Sequence, residues 1–87
     1  MAETHIMDVS DMPKYVCKKE VRALELEAVN GVTLVFVDKR YGATDVNLHW
    51  IGKHAPKAGG YFVVYRDGYT SYSPKAAFEE GYDIIGN

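Results

Sequence analysis

A single cysteine, Cys17, stands among 87 residues, so no intrachain disulfide can form, and secreted domains of this size usually carry several bridges. A reducing cytoplasm is the expected compartment. Basic excess is missing too. Ten Lys and Arg face twelve Asp and Glu, for a formal charge of −2, which argues against the nonspecific phosphate binding that coats nucleic acid. No apolar run approaches the roughly 18 residues of a membrane span. The stretch from Met1 to Asp11 is polar and acidic, so neither a membrane segment nor a signal peptide is expected. Metal-ligand spacing is absent, since Cys17, His5, His49 and His54 lie scattered over three segments and a site needs three or four ligands brought together. The lysines of Val16-Cys17-Lys18-Lys19 can lower a thiol pKa, but no motif places a base beside Cys17, and it reads as a small hydrophobe. No cofactor and no enzymatic activity are expected.

What is present is the composition of one globular domain: 47% hydrophobic, 25% charged and 13% aromatic residues. A chain of this mass can hide only about 64% of its extended surface, so the core must be thin. Residues 1–13 show no period and end in Met12-Pro13, the pattern of a flexible arm ahead of a domain spanning 14–87.

Leu24, Leu26 and Ala28 alternate with Glu25 and Glu27, and Asn30-Gly31 leads into Val32-Thr33-Leu34-Val35-Phe36-Val37. Asn-Gly between apolar runs signals a hairpin. With Asn30 and Gly31 as the turn, Ala28 faces Thr33, Leu26 faces Val35 and Leu24 faces Val37. A helix over 19–29 competes, because Glu, Arg, Ala and Leu are good helix formers. Thr44 or Asp45 can cap a short helix carrying Val46, His49, Trp50 and Lys53, stopped by Gly52 and Pro56. Asp45 and His49 then share a surface face, whereas His49 and His54 lie about 140° apart.

A second hairpin, Tyr61–Arg66 and Tyr69–Ser73, turns at Asp67-Gly68. That register puts Tyr61, Val63, Tyr65, Thr70 and Tyr72 on one face, and Phe62, Val64, Arg66, Tyr69 and Ser71 on the other. Ser73 is expected to cap a helix opened by Pro74 and closed by Gly81, with Phe78 as its core anchor. Tyr82 to Ile85 reads as a short strand or extended tail. The expected fold class is α+β, a small domain with a curled antiparallel sheet of two hairpins and two short helices.

The run from Gly59-Gly60-Tyr61 through Asp67-Gly68-Tyr69 and Ser73-Pro74 to Phe78-Glu79-Glu80-Gly81-Tyr82 resembles the C-terminal signature of small accessory proteins encoded by tailed bacteriophages and prophages. Lys14-Tyr15-Val16-Cys17-Lys18-Lys19-Glu20-Val21, followed by Glu25-Leu26-Glu27-Ala28, resembles the family's opening basic strand, although Glu20 stands where that family often has proline. About seventy residues are covered, of which the C-terminal run is the specific part. The resemblance implies a phage genome as origin and the host cytoplasm as workplace, and it carries no catalytic activity.

Seven tyrosines, four of them on the second hairpin, suggest an aromatic surface, and Arg66 with Lys53 and Lys57 can supply charge. The same tyrosines also serve for cross-strand packing, and Trp50 serves equally as a core anchor or an interface anchor. Candidate partner-binding residues are therefore Arg66, Tyr69, Trp50, Lys53 and Tyr65. A host or phage protein is the expected partner. The alternative is a nucleotide-type small molecule held between subunits of a homo-oligomer, because so small a core leaves little room for a private pocket.

Overall fold

The computed structural model describes residue 10, residues 12–16 and residues 19–85. Cys17 and most of the expected arm lie outside the described residues. The elements run β1 (Arg22–Asn30), β2 (Thr33–Phe36), β3 (Ala43–Asp45), α1 (Leu48–His54), β4 (Tyr61–Val64), β5 (Thr70–Ser73) and α2 (Lys75–Gly81). All neighbours pair antiparallel in one open sheet of order β3-β2-β1-β4-β5. The chain is a small α+β domain.

The alternation of leucine and glutamate prevails over helix propensity, and β1 is a strand. It begins only at Arg22, so the described residues between Lys14 and Val21 do not form the opening strand that the family resemblance implies. Its register corrects the expected one. Asn30 is itself paired, to Thr33, and Gly31 and Val32 form the loop, so Ala28 opposes Val35 and Val29 opposes Leu34. A bulge between Leu26 and Ala28 then sets Leu26 opposite Phe36. One extra residue reverses the side-chain alternation, which is why Leu26 and Val29, three apart, pack into the same core. The core face of β2 is Leu34 and Phe36, and Val37 is left exposed. Gly31 leads the turn at φ 61°, a conformation that costs a side chain about 1 kcal/mol. Gly31→Ala should lower stability by that amount, as read from the urea midpoint; a neutral result would mean that the turn relaxes to another form.

The sheet also has a third N-terminal strand that the two-hairpin reading lacked. β3 pairs along β2, and the Thr33 hydroxyl donates to the Asp45 carboxylate at 2.6 Å. Thr44 and Asp45 therefore cannot cap α1, nor does Asp45 share a helix with His49. The cap is Asn47, whose side chain accepts from the Trp50 amide at 2.8 Å. Gly52 lies within the helix, and Ala55 closes it in the left-handed conformation at φ 46°.

In the second hairpin Tyr61 pairs with Ser73, Phe62 with Tyr72 and Val64 with Thr70. Tyr65 therefore opposes Tyr69, its amide donating to the Tyr69 carbonyl at 2.8 Å across a three-residue loop, Arg66-Asp67-Gly68, with Gly68 at φ 92°. The extra loop residue moves every partner on β5 by one, so Tyr72 shares the face of Phe62 and not that of Tyr61. Ser73 ends β5 and makes no cap bond, and Pro74 takes the cap position of α2. Tyr82 to Ile85 continue without regular structure.

The core lies between the sheet and α1. Leu26, Leu34 and Phe36 are buried, with Val46, Trp50, Ile51, Phe62 and Tyr72 packed around them. On the other face Val63 is buried and Phe78 of α2 stacks between Tyr61 at 4.2 Å and Tyr82 at 4.7 Å. No residue of α2 is buried, so Phe78 is a half-covered surface stack and not the expected core anchor. Among the described residues no helix is long and apolar enough to cross a membrane.

Candidate partner-binding site

All five residues singled out from sequence converge at the β4–β5 tip and the end of α1 that packs beneath it. Trp50 provides the footing. Its ring lies 5.8 Å from Phe62, and its indole N–H donates to the Thr70 hydroxyl at 3.0 Å. The helical spacing brings His54 one turn on, its ring 4.6 Å from Trp50. Tyr69 follows at 6.5 Å from His54, and Tyr65 stacks on Tyr69 at 5.7 Å. Lys53 donates to the Tyr69 hydroxyl at 3.3 Å and sits 5.5 Å from that ring's centre. A continuous line of rings therefore runs from the core to the surface, and the Lys53 cation rests on Tyr69, one ring short of its outer end.

The turn is braced from within, because the Asp67 carboxylate accepts from the Tyr69 amide at 3.0 Å. Arg66, the fifth candidate, projects from the same loop. It is exposed, and among the described residues its guanidinium has neither a hydrogen bond nor an ion pair. The expectation that Arg66 and Tyr69 face away from Tyr65 fails for Tyr69, because the three-residue loop sets Tyr65 and Tyr69 opposite each other. A cleft of about 530 Å³ lies at the tip, lined by Lys19, Glu20, Tyr65, Arg66, Asp67 and Tyr69. Lys57, the other cation considered, does not line it.

Sequence reasoning missed His54 and Lys19. His54 carried a readable signal, the spacing of four from Trp50 on one helix face. Lys19 carried none, since only the β1–β4 pairing brings the start of β1 beside the hairpin.

Partial burial, reinforced by the nearby Lys53 and His49, lowers the His54 pKa below its ordinary value. Between the folded value and the unfolded value of about 6.5, only the unfolded chain binds this proton. The contribution is complete above the unfolded value and is lost as pH falls through the folded one. The melting temperature should therefore fall as pH drops below the ordinary histidine value of about 6.5, and His54→Phe should flatten that slope. An unchanged slope in His54→Phe would assign the effect to other groups.

At the opposite end of the sheet, the Tyr61 hydroxyl donates to Glu79 at 2.8 Å, and Lys75 bridges Glu25 and Glu79 at 3.1 Å each. The Tyr61 bond, with help from Lys75, holds the Glu79 carboxyl below its usual range. This network ties α2 to β1 and β4. Comparison with known proteins gives no match to any protein-family model, curated protein or solved structure.

Proposed function

We propose that this chain is a nonenzymatic phage accessory protein that works in the host cytoplasm by docking a host or phage protein on the tip of its second hairpin. The observation that carries this reading is the pairing of an unpartnered Arg66 with a rigid aromatic column. Tyr65 and Tyr69 offer ring area that is already immobilised, so a partner incurs little ordering cost. Arg66 has its full set of donors free for a carboxylate or a carbonyl edge. Binding anchors are commonly of this kind, aromatic and arginine at the centre of a braced patch. A nucleotide-type ligand is the lesser reading, because Tyr65 and Tyr69 close on each other at 5.7 Å and leave no slot between them for a base.

The test uses wild-type protein and Arg66→Ala as baits in lysate of the infected host, with Glu80→Ala as a remote surface control. Arg66→Ala should retain the native circular dichroism and melting curve, while its affinity for the captured protein falls by roughly 1–2 kcal/mol. Much greater loss, with wild-type binding weakening steeply as salt rises, would favour a phosphorylated small molecule. Equal capture by both baits would remove the tip from the site, and loss of folding would make Arg66 structural.

A further inference from the structure

The sheet is open, and its two edges differ. β3 ends one side with three residues, the last of them the exposed Asp45, and charge of this kind is how edge strands resist pairing. β5 ends the other side with Thr70, Ser71, Tyr72 and Ser73, which carry no charge, no proline and no bulge. The ladder shows which backbone groups β5 leaves open. Residues opposite each other in an antiparallel pair alternate between bonded and non-bonded positions. The Tyr65 amide donates to the Tyr69 carbonyl, so Val63 with Ser71 and Tyr61 with Ser73 are the bonded positions that follow. Thr70 and Tyr72 alternate with these and turn both N–H and C=O away from β4. Among the described residues neither amide has a partner, and the Tyr72 carbonyl has only the Ser71 hydroxyl at 3.5 Å. Their side chains lie over the sheet and leave the edge clear: the Tyr72 ring covers Gly60, and the Thr70 hydroxyl accepts from Trp50.

We infer that this edge pairs with the same edge of a second copy of the chain, β5 antiparallel to β5 about a two-fold axis at Ser71. A two-fold interface must complement itself, and the open donors and acceptors do so. With Ser71 opposite Ser71 of the second copy, Thr70 faces Tyr72 of the second copy and Tyr72 faces its Thr70. The N–H and C=O of both residues then find partners at once, in both copies. Other registers fail. A shift of one residue sets open groups against groups already bonded to β4. A shift of two brings Thr70 to Pro74, which has no N–H, or Tyr72 to Gly68 in the loop. Side-chain size agrees with the one register that remains. Non-bonded residues approach to about 4.5 Å between α-carbons, and at the axis the two that meet are serines. Tyr69 likewise falls beside the small Ser73 of the second copy.

The test uses the whole chain with Cys17→Ser as background, so that an introduced cysteine is the sole thiol. In a glutathione redox buffer Ser71→Cys should be trapped as a disulfide-linked dimer, because two cysteines facing across the axis lie within bridging distance. Ser73→Cys, on the same face, should not be trapped, since the two copies of that residue stand four positions apart along the strands, about 14 Å. Sedimentation equilibrium of the wild type should show self-association that grows with concentration. Ser71→Lys and Ser71→Glu should each keep the native circular dichroism and raise the dimer dissociation constant roughly tenfold or more, because like charges then stand opposite each other. An equal mixture of the two should associate again. Should a charge at 71 prevent folding, the cysteine pair decides alone. Arg66→Ala should associate as the wild type does, which separates this inference from the hairpin-tip reading. A wild type that stays monomeric at every concentration would overturn the pairing. So would charge variants that associate unchanged, or Ser73→Cys trapped as readily as Ser71→Cys.

Discussion

Leu34→Ala is expected to leave the chain largely unfolded at room temperature. Leu34 is wholly buried at the centre of the core, with Leu26 and Phe36 beside it. A buried leucine cut back to alanine loses about 2–5 kcal/mol, the upper end applying where the surroundings cannot close on the cavity. Here they cannot. Leu34 is on β2, held by β1 on one side and β3 on the other, with paired backbone on both. A domain with so few buried side chains sits at the low end of the usual range of about 5–15 kcal/mol, so the loss consumes most of its stability. Urea titration followed by far-ultraviolet circular dichroism reads this directly. A variant with a midpoint close to wild type would show that α1 collapses onto the cavity. The same truncation at Phe78, half-covered on the other face, should cost clearly less.

Gly60→Ala is the second large effect, and backbone conformation does not cause it. The ring of Tyr72 lies directly over the α-carbon of Gly60, so an added methyl would fall well inside van der Waals contact with the ring's outer carbons and hydroxyl. Neither side can yield cheaply. The Gly60 carbonyl accepts from the Leu26 amide at 2.8 Å, which fixes the backbone, and Tyr72 packs against the core. Overpacking of this kind costs about 1–3 kcal/mol. If the ring is the cause, Gly60→Ala should cost far less in a Tyr72→Ala background, with a coupling above about 1 kcal/mol in the double-mutant cycle. Additive effects would place the strain elsewhere.

That contact was beyond the reach of the sequence, where Gly59-Gly60 reads as a loop hinge, because it sets the residue just before β4 against a side chain of β5 in a register that a turn residue decides. The turn signals themselves were legible. Gly31 and Gly68 both sit at positive φ in hairpin loops, as Asn-Gly and Asp-Gly announce. Their offsets were not. One residue more in the second loop, and one step along in the first, changed which side chains face each other. At the candidate site, Trp50 and Lys53 were legible as one helix stripe and the tyrosines as a cluster. The order Trp50, His54, Tyr69, Tyr65 arises only when α1 is laid on the second hairpin.

The sequence by itself determined the local pieces: an α+β chain, strands where apolar and charged residues alternate, glycine turns, two short helices and a surplus of tyrosine. These follow from interactions between near neighbours, whose spacing is written in the chain. Tertiary structure decided the parity of the strands, the added β3 edge, the surface position of α2 and the line of rings reaching from core to tip. Side chains alternate across a strand with a period of two, so a single bulged or looped residue reverses every face beyond it, and only the packing of distant segments against each other selects which face is buried.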